Sequence, residues 1–170
     1  MERIITERLI LRELSEQDAT CVFKWLGDDR VSKYMVYDTY ESVEQVKEWI
    51  LSVNTLVDEY TFGIATKNDG NLIGSISLKK SGRHEDYTFG YNLAYEYWNN
   101  GYATEAVKAI IRFALGLGAR KFIVDIAEKN IASRRVLEKC GLHFDKYDTL
   151  VKLSGKPIGK SMIYEGEFSL

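Results

Sequence analysis

The sequence has little proline, little cysteine and no long apolar run, and each of these shortages excludes a class of protein. Its 170 residues contain one proline, Pro157, so no proline-rich linker divides the chain. No apolar run approaches the roughly 18 residues of a membrane-spanning helix, so we expect no membrane span. The length suits one domain better than two, and we expect a single domain over residues 1–170.

The two cysteines, Cys21 and Cys140, lie far apart in the sequence. Two cysteines at this separation provide neither a disulfide framework nor the ligand spacing of a metal site, so we expect no metal. Both lie within helix-like apolar patterns, which favours buried free thiols. Because the pattern of a secretory signal is also missing, we expect a protein of the reducing cytoplasm.

Basic residues are not in excess, since the formal net charge is −2. Domains that bind duplex nucleic acid usually carry a concentrated basic surface, so we expect no nucleic-acid partner. One basic run, residues 79–84, is short and rich in turn-forming residues. We interpret it as a solvated loop.

Hydrophobic periodicity predicts a mixed α/β chain. A strand at 9–14 is followed by two helices, which begin after capping-box patterns at 15–18 and 42–45. Three strands follow, at 61–66, 72–78 and 87–93, and then a long helix from Gly101 to Gly118. The remaining elements are an apolar strand at 122–127, a helix at 130–139, and strands at 142–153 and 161–168. We expect the apolar strand to be covered on both faces. This order predicts helices packed on one sheet.

The turn before the long helix has features of an anion site. Residues 97–106 read Tyr-Trp-Asn-Asn-Gly-Tyr-Ala-Thr-Glu-Ala. The first amides of a helix have no partner within it and carry the positive end of the helix dipole. Gly101 and Ala103 are small, so a phosphate could approach the backbone; the alternative is a plain capped helix. The segment matches neither the P-loop nor the G-x-G-x-x-G pattern, which argues against an NTPase and a dinucleotide dehydrogenase.

A second segment of interest, residues 130–144, follows the apolar strand. Asn130 is well suited to cap the next helix. Asn130 and Ser133 also lie one helical turn apart, on the face that meets whatever occupies the end of the strand. The pattern leaves both a simple cap and a ligand contact open.

Three pieces in this order resemble the GNAT superfamily of N-acetyltransferases, and best its ribosomal-protein N-acetyltransferase (RimJ/RimL-like) branch. The opening, residues 6–12, reads Thr-Glu-Arg-Leu-Ile-Leu-Arg. The second piece is Phe89-Gly90-Tyr91-Asn92-Leu93 followed by residues 97–106, and the third runs from Asn130 and Ser133 to Glu138-Lys139-Cys140-Gly141. The resemblance implies a GNAT fold, an α/β domain with one mixed, mostly antiparallel sheet whose central strands splay apart and whose faces carry helices.

The resemblance also implies acetyl-CoA as co-substrate. Its pantetheine would lie in the gap between the splayed strands and pair with the backbone of Leu93, Ala94 and Tyr95. Asn130 would hydrogen-bond the pantetheine, and Ser133 would lie near the thioester. The pyrophosphate would bind the amides of one run of residues, Asn99, Asn100, Gly101, Tyr102, Ala103 and Thr104.

At the catalytic groups, two positions of this chain depart from the family's pattern. Many relatives have a tyrosine seven residues after the asparagine of the third piece, where this chain has Leu137. We therefore expect Ser133 to act as the acid. Relatives in this branch often have a glutamate where this chain has Thr88. The nearby candidates for the base are Glu85, Asp86, His84 and Tyr91.

The acceptor would be an amine that attacks the thioester directly, with an acid and a base assisting. By analogy, an aromatic stretch would border its pocket: Tyr34, Met35, Tyr37 and Tyr40. Asp38 or Glu41 could attract a cationic amine. A protein N-terminal α-amine and a small amine, such as a polyamine, amino acid or antibiotic, are both compatible with the sequence. A non-catalytic acyl-CoA-binding module is a third reading, and the family resemblance makes a homodimer compatible with each.

Overall fold

The computed structural model describes residues 3–82 and 86–169. Within these ranges the strands are β1 (Ile4–Ile5), β2 (Leu9–Glu13), β3 (Glu59–Thr66), β4 (Leu72–Lys80), β5 (Asp86–Leu93), β6 (Lys121–Ala127), β7 (His143–Val151) and β8 (Pro157–Glu167). The helices are α1 (Ala19–Leu26), α2 (Asp29–Ser32), α3 (Val43–Asn54), α4 (Tyr102–Gly116) and α5 (Ile131–Lys139).

All these strands form one sheet, in the order β1-β2-β3-β4-β5-β6-β8-β7. Every neighbouring pair is antiparallel except β5 and β6, which are parallel. The single mixed, mostly antiparallel sheet that the family resemblance implies is therefore confirmed.

Local sequence signals explain where the long helices begin and end. The Ser42 hydroxyl accepts a hydrogen bond from the Gln45 amide at 3.2 Å and caps α3, as the capping-box pattern predicts. Gly101 precedes α4 with φ +80°, and Gly118 follows it with φ +97°. Glycine adopts these left-handed angles without steric cost, so the two residues delimit the helix.

The helices cover the two faces of the sheet unequally. On one face α4 packs against β2, β4 and β5, and α5 packs against α4, over a large apolar core. On the other face α1 packs on β4 and α3 on β3. Gly90, Asp125 and Asp148 lie on this second face beyond α1 and α3 and are exposed. We call this exposed part, from β5 to β7, the open face.

This unequal cover corrects one expectation for β6. The strand was expected to be covered on both faces. On the α4 side Phe122, Val124 and Ile126 are buried, whereas on the other side only Ala127, at the end of the strand, is buried. Asp125 on the other side is exposed and Ile123 is half-buried. An apolar run reports how much of a strand is buried, but not which neighbours cover it.

Three smaller differences concern two elements that were not expected and the start of one strand. Strand β1 and helix α2 were not expected, since each is too short to show a periodic pattern. Strand β8 begins at Pro157, earlier than expected, because it pairs with β7 along nearly its whole length.

Both cysteines are free thiols; Cys140 is buried and Cys21 is half-buried. No helix in the described part of the chain has both the length and the hydrophobicity needed to span a membrane.

Candidate active site

Strands β5 and β6 separate in the middle of the sheet. They pair only through Asp86 with Lys121 and Tyr87 with Phe122. Beyond this point β5 continues to pair with β4 as far as Leu93, and β6 continues to pair with β8 as far as Ala127. The facing edges of β5 and β6 therefore enclose a V-shaped gap, as the fold resemblance implies.

The start of α4 presents unpaired amides. Gly101 provides no side-chain cap, and the first backbone bond of the helix runs from the Glu105 amide to the Gly101 carbonyl at 3.1 Å. Within the described ranges, the amides of Tyr102, Ala103 and Thr104 have no backbone or side-chain acceptor. Free donors at a helix start, together with the helix dipole, are suited to bind an anion.

Arg8 lies beside this helix start, although it is distant in sequence. Its guanidinium donates to Glu105 Oε2 at 2.7 Å and to the Asn100 carbonyl at 3.0 Å. It also stacks over the Tyr102 ring at 4.6 Å. A Cβ atom at Gly101 would come within 3.3 Å of this guanidinium. Sequence reasoning assigned Arg8 no role, since only the fold brings it to the turn.

A basic groove extends from this point along α4. It has a volume of about 840 Å³ and is bordered by the N-terminal segment and the outer side of α4. Its cationic lining residues are Arg3, Arg8, Lys108, Arg112 and Lys139, against the carboxylates of Glu7 and Glu105. The excess of cations next to Gly101 favours an anionic ligand.

Asn130 and Ser133 meet at the start of α5. The Asn130 side-chain oxygen accepts the Ser133 amide at 3.1 Å, so Asn130 does cap the helix. Its Nδ2 group has no partner among the described residues. Tyr91 on β5 donates from its hydroxyl to Ser133 Oγ at 3.2 Å. Burial raises the pKa of Tyr91 to about 12, although the bond to Ser133 opposes the rise.

The backbone at the end of β5 is only partly available for a ligand. The Ala94 amide donates to the Ile73 carbonyl at 2.8 Å, and the Ala94 carbonyl accepts the Tyr97 amide at 2.9 Å. The Trp98 indole donates to the Leu93 carbonyl at 2.8 Å. Because backbone groups alternate in direction along a strand, Leu93 and Tyr91 direct theirs toward the gap.

On the opposite face of β5, Asn92 links the sheet to the aromatic stretch. Its side-chain oxygen accepts the Ser75 hydroxyl at 2.9 Å, and its amide donates to the Tyr37 hydroxyl at 3.1 Å. Burial raises the pKa of Tyr37, so this phenol stays protonated. Tyr37 also contacts the Tyr40 ring edge-on, with centroids 5.9 Å apart.

Lys152 holds the same aromatic stretch from the other side. Its ammonium donates to the backbone carbonyls of Ser32 at 3.2 Å and Tyr37 at 2.8 Å. A cavity of about 620 Å³ lies next to this stretch, bordered by Tyr37, Asp38, Tyr40, Glu41, Glu48 and Trp49 among others. Tyr37 and Tyr40 border the cavity, whereas Tyr34 and Met35 do not.

The candidates for the base are not brought together. Glu85 and His84 lie outside the described residues. Asp86 begins β5, opposite Lys121, at the closed end of the gap. Tyr91 has a raised pKa and remains protonated near neutral pH, which suits a proton donor better than a base.

Comparison with known proteins supports the same family. The GNAT acetyltransferase domain matches residues 8–143. YoaA of Bacillus subtilis (strain 168), named as an uncharacterized N-acetyltransferase, is 31% identical over 80% of this chain and 80% of its own length.

Two solved structures illustrate the shared fold. Spermidine N-acetyltransferase from Vibrio cholerae, in complex with CoA and spermine, superposes with a TM-score of 0.82 at 18% identity, covering 95% of this chain and 96% of that one. An acetyltransferase from Salmonella typhimurium that modifies the N-terminal serine of ribosomal protein L7/L12 superposes with a TM-score of 0.85 at 15% identity, covering 99% and 100%. The domain match and the sequence relative go further than the fold: this chain belongs to the GNAT acetyltransferase family and is an N-acetyltransferase.

Proposed function

We propose that the chain binds acetyl-CoA with its diphosphate on the first turn of α4 and transfers the acetyl group to a primary amine. The observation that carries this proposal is the position of the unpaired amides of Tyr102, Ala103 and Thr104 at the end of the chain segment that leaves β5. A diphosphate bound there would place the rest of the molecule at the mouth of the gap between β5 and β6.

The residues around α4 fit a polyanionic co-substrate. Asn99, Asn100 and Gly101 are exposed, so the backbone of the turn is open to a phosphate. Arg8 supplies a positive charge at the same turn, and the basic groove continues it along α4. The positive charges of Arg8 and the groove and the free amides of α4 all attract a negatively charged group, which favours a tightly bound diphosphate.

The gap fits the pantetheine arm. Leu93 and Tyr91 direct backbone groups toward it, although the Leu93 carbonyl already accepts the Trp98 indole, while both the amide and the carbonyl of Ala94 are engaged within the protein. We therefore assign the backbone contacts to Leu93 and Tyr91 in preference to Ala94, with Tyr95 at the mouth of the gap. The free Nδ2 of Asn130 is a suitable donor to a pantetheine carbonyl from the α5 side.

Ser133 and Tyr91 are the groups that we propose for the leaving thiolate. Attack by the amine forms the C–N bond and breaks the C–S bond, and the released sulfur needs a proton. The Ser133 hydroxyl would donate that proton, and Tyr91 would support it by donating to Ser133 Oγ. A phenol with a pKa of about 12 is a stable hydrogen-bond donor at neutral pH. Leu137, buried one turn further along α5, leaves no tyrosine on the helix for this task.

Two acceptor classes follow from the comparisons. The Vibrio cholerae structure is of a spermidine N-acetyltransferase, and the Salmonella protein modifies an N-terminal serine. Glu41 and Glu48 beside Tyr37 and Tyr40 would favour a cationic small amine, whereas Asp38 already faces Lys152 and Lys156. A peptide with a free N-terminus would also need an unobstructed path from solvent to the gap.

We also propose a cytoplasmic location, because both thiols are free.

The test is release of free CoA thiol from acetyl-CoA with three acceptors: spermidine, a peptide with an N-terminal serine, and free amino acids. We expect release with at least one acceptor and a matching acetylated product by mass spectrometry. Tight acetyl-CoA binding by calorimetry with no release from any acceptor would favour the non-catalytic module instead. Absence of acetyl-CoA binding would overturn the assignment of the α4 site.

A further inference from the structure

Asp125 occupies a position that neither the motifs nor the comparisons assign. It lies on β6, three residues beyond the Tyr87–Phe122 pair at which the gap begins to open. Its neighbours Val124 and Ile126 point into the core beneath α4 and α5. Because side chains alternate along a strand, Asp125 points the other way, onto the open face.

Space is available directly across the gap from Asp125. Counted from the same strand pair, Gly90 is its counterpart on β5, and it also belongs to the open face. A Cβ atom at Gly90 would meet only the Ser77 hydroxyl, at 3.7 Å. The closed end of the gap is therefore accessible from this side, whereas Tyr91 and Ser133 approach it from the α4 and α5 side.

The charges on the open face leave Asp125 without a cationic partner. Within the described residues it forms no ion pair, and neither does Asp148 on β7. The neighbouring Glu165, in contrast, is paired with Lys121 at 2.5 Å and lies 3.9 Å from His143. The other charged groups that register places on this face are Asp86, Lys146 and Glu167, with the Lys79–Glu59 pair beside it on β4 and β3.

The surroundings also affect the proton affinity of Asp125. Burial raises its pKa, the neighbouring Ser161 hydroxyl opposes the rise, and the charge of Asp148 adds to it. A carboxylate of raised pKa that still contacts solvent can accept a proton from an ammonium and then release it to water.

We propose that Asp125 is the general base that deprotonates the acceptor amine on the open face, while Ser133 and Tyr91 serve the leaving group from the other side. This inference rests on the proposed function. The acceptor arrives as an ammonium ion, and Asp125 takes one of its protons. The free amine attacks the thioester carbonyl carbon, forming the C–N bond as the C–S bond breaks. After the attack the nitrogen loses its second proton to solvent water. Ser133 gives its hydroxyl proton to the departing thiolate and regains one from water, so the net proton released per transfer is the one that Asp125 took and passes to solvent.

This geometry selects a class of acceptor. The substrate is a primary alkyl amine that is protonated in solution, reaching the gap from the open face toward an unneutralised carboxylate. Neutral nucleophiles need no deprotonation before attack, so they would gain little from Asp125. This difference separates a base from a residue that only maintains the structure.

The experiment compares the protein with the Asp125→Asn variant. Acceptors are whichever of spermidine and the N-terminal serine peptide the unaltered protein acetylates, and O-methylhydroxylamine, which is unprotonated at neutral pH. We expect kcat/KM for the ammonium acceptor to fall by about 100-fold or more, within the range that general-base catalysis contributes. The rate with O-methylhydroxylamine should change by less than about threefold on the same reasoning, with acetyl-CoA affinity and thermal stability retained.

Two further variants make the result decisive. Asp145→Asn removes an exposed carboxylate at the bulge of β7 and should leave kinetics unchanged. Asp148→Asn removes a charge that raises the pKa of Asp125, so the acidic limb of the kcat/KM profile should move to lower pH. An Asp125→Asn protein with unchanged kcat/KM and pH profile, or with equal losses for both nucleophiles, would overturn the assignment. If the unaltered protein acetylates no amine, the proposed function fails first, and this inference fails with it.

Discussion

The Tyr91 hydroxyl on β5 donates a hydrogen bond to Ser133 Oγ on α5, across a distance of 3.2 Å. The two residues belong to different sides of the gap, since β5 forms one edge and α5 follows β6 on the other. The bond therefore joins the two sides where the strands no longer pair. We propose that these two hydroxyl groups serve the leaving thiolate.

We predict that Tyr91→Phe lowers kcat without weakening acetyl-CoA binding. The variant loses only the hydroxyl that supports Ser133, so we expect a fall in kcat of about tenfold or more and an unchanged Kd for acetyl-CoA. Loss of one hydrogen bond should cost about 1 kcal/mol of stability. Steady-state kinetics and calorimetry check the split, with Tyr147→Phe on β7 as the control. A raised Kd with unchanged kcat would contradict the proposed role.

The proposed anion site can be tested at Gly101. Gly101→Glu should weaken acetyl-CoA binding by more than about tenfold, or about 1.4 kcal/mol, because it places bulk and negative charge against the amides of α4. Gly118→Glu at the other end of the same helix is the matched control. Both glycines have a positive φ, so both variants carry similar backbone strain. Equal calorimetric losses in the two variants would show that strain, and not charge at the site, is responsible.

The ion pair between Arg12 and Asp18 predicts a pH-dependent stability. The hydrogen bonds from Arg12 at 2.8 Å lower the pKa of Asp18 to about 2, although burial opposes the change. A carboxyl with a lowered folded-state pKa stabilises the fold above its usual pKa, and this stability is lost as the pH falls toward 2. Asp18→Asn should therefore reduce the free energy of unfolding by about 1–2 kcal/mol at pH 7.

Comparing the unaltered protein with the Asp18→Asn variant at low pH tests whether the charge of Asp18 is responsible. The difference between the unaltered and variant proteins should shrink below about pH 4, where unfolded Asp18 is protonated. Denaturant unfolding at several pH values measures it. A difference that stays constant down to pH 2 would mean that the lost capping geometry at Ser15, and not the charge, accounts for the effect.

Lys152 should control access of the acceptor. Its ammonium is mostly buried and holds the carbonyls of Ser32 and Tyr37. Lys152→Met removes both hydrogen bonds and should loosen the aromatic stretch, raising KM for the amine severalfold while the Kd for acetyl-CoA stays the same. Lys156→Met is the control, since the Lys156 side chain is well exposed and its ammonium pairs with Asp38 at 3.4 Å without holding a backbone carbonyl of the aromatic stretch. Equal KM values for the two variants would argue against this role.

Much of the secondary structure follows from short stretches of sequence. The capping pattern at Ser42 and the glycines at 101 and 118 predict where α3 and α4 begin or end, because these signals act within one helical turn. The order of strands and helices, with three motifs in sequence, also predicts the family, and the domain match over residues 8–143 confirms it. The splayed pair β5 and β6 was expected from that resemblance and not from the residues themselves.

The fold was needed for contacts between distant residues. Arg8 reaches Glu105 across 97 positions, and Tyr91 reaches Ser133 across 42. The exposure of Asp125 within an apolar strand depends on α4 and α5 covering one face and leaving the other open. Helix capping and hydrophobic periodicity depend on residues that are close together in the sequence, so a short stretch of the chain predicts them. The position of Arg8 at the start of α4, and that of Asp125 beside the gap, depend on how whole helices and strands pack. No short stretch of the chain encodes them.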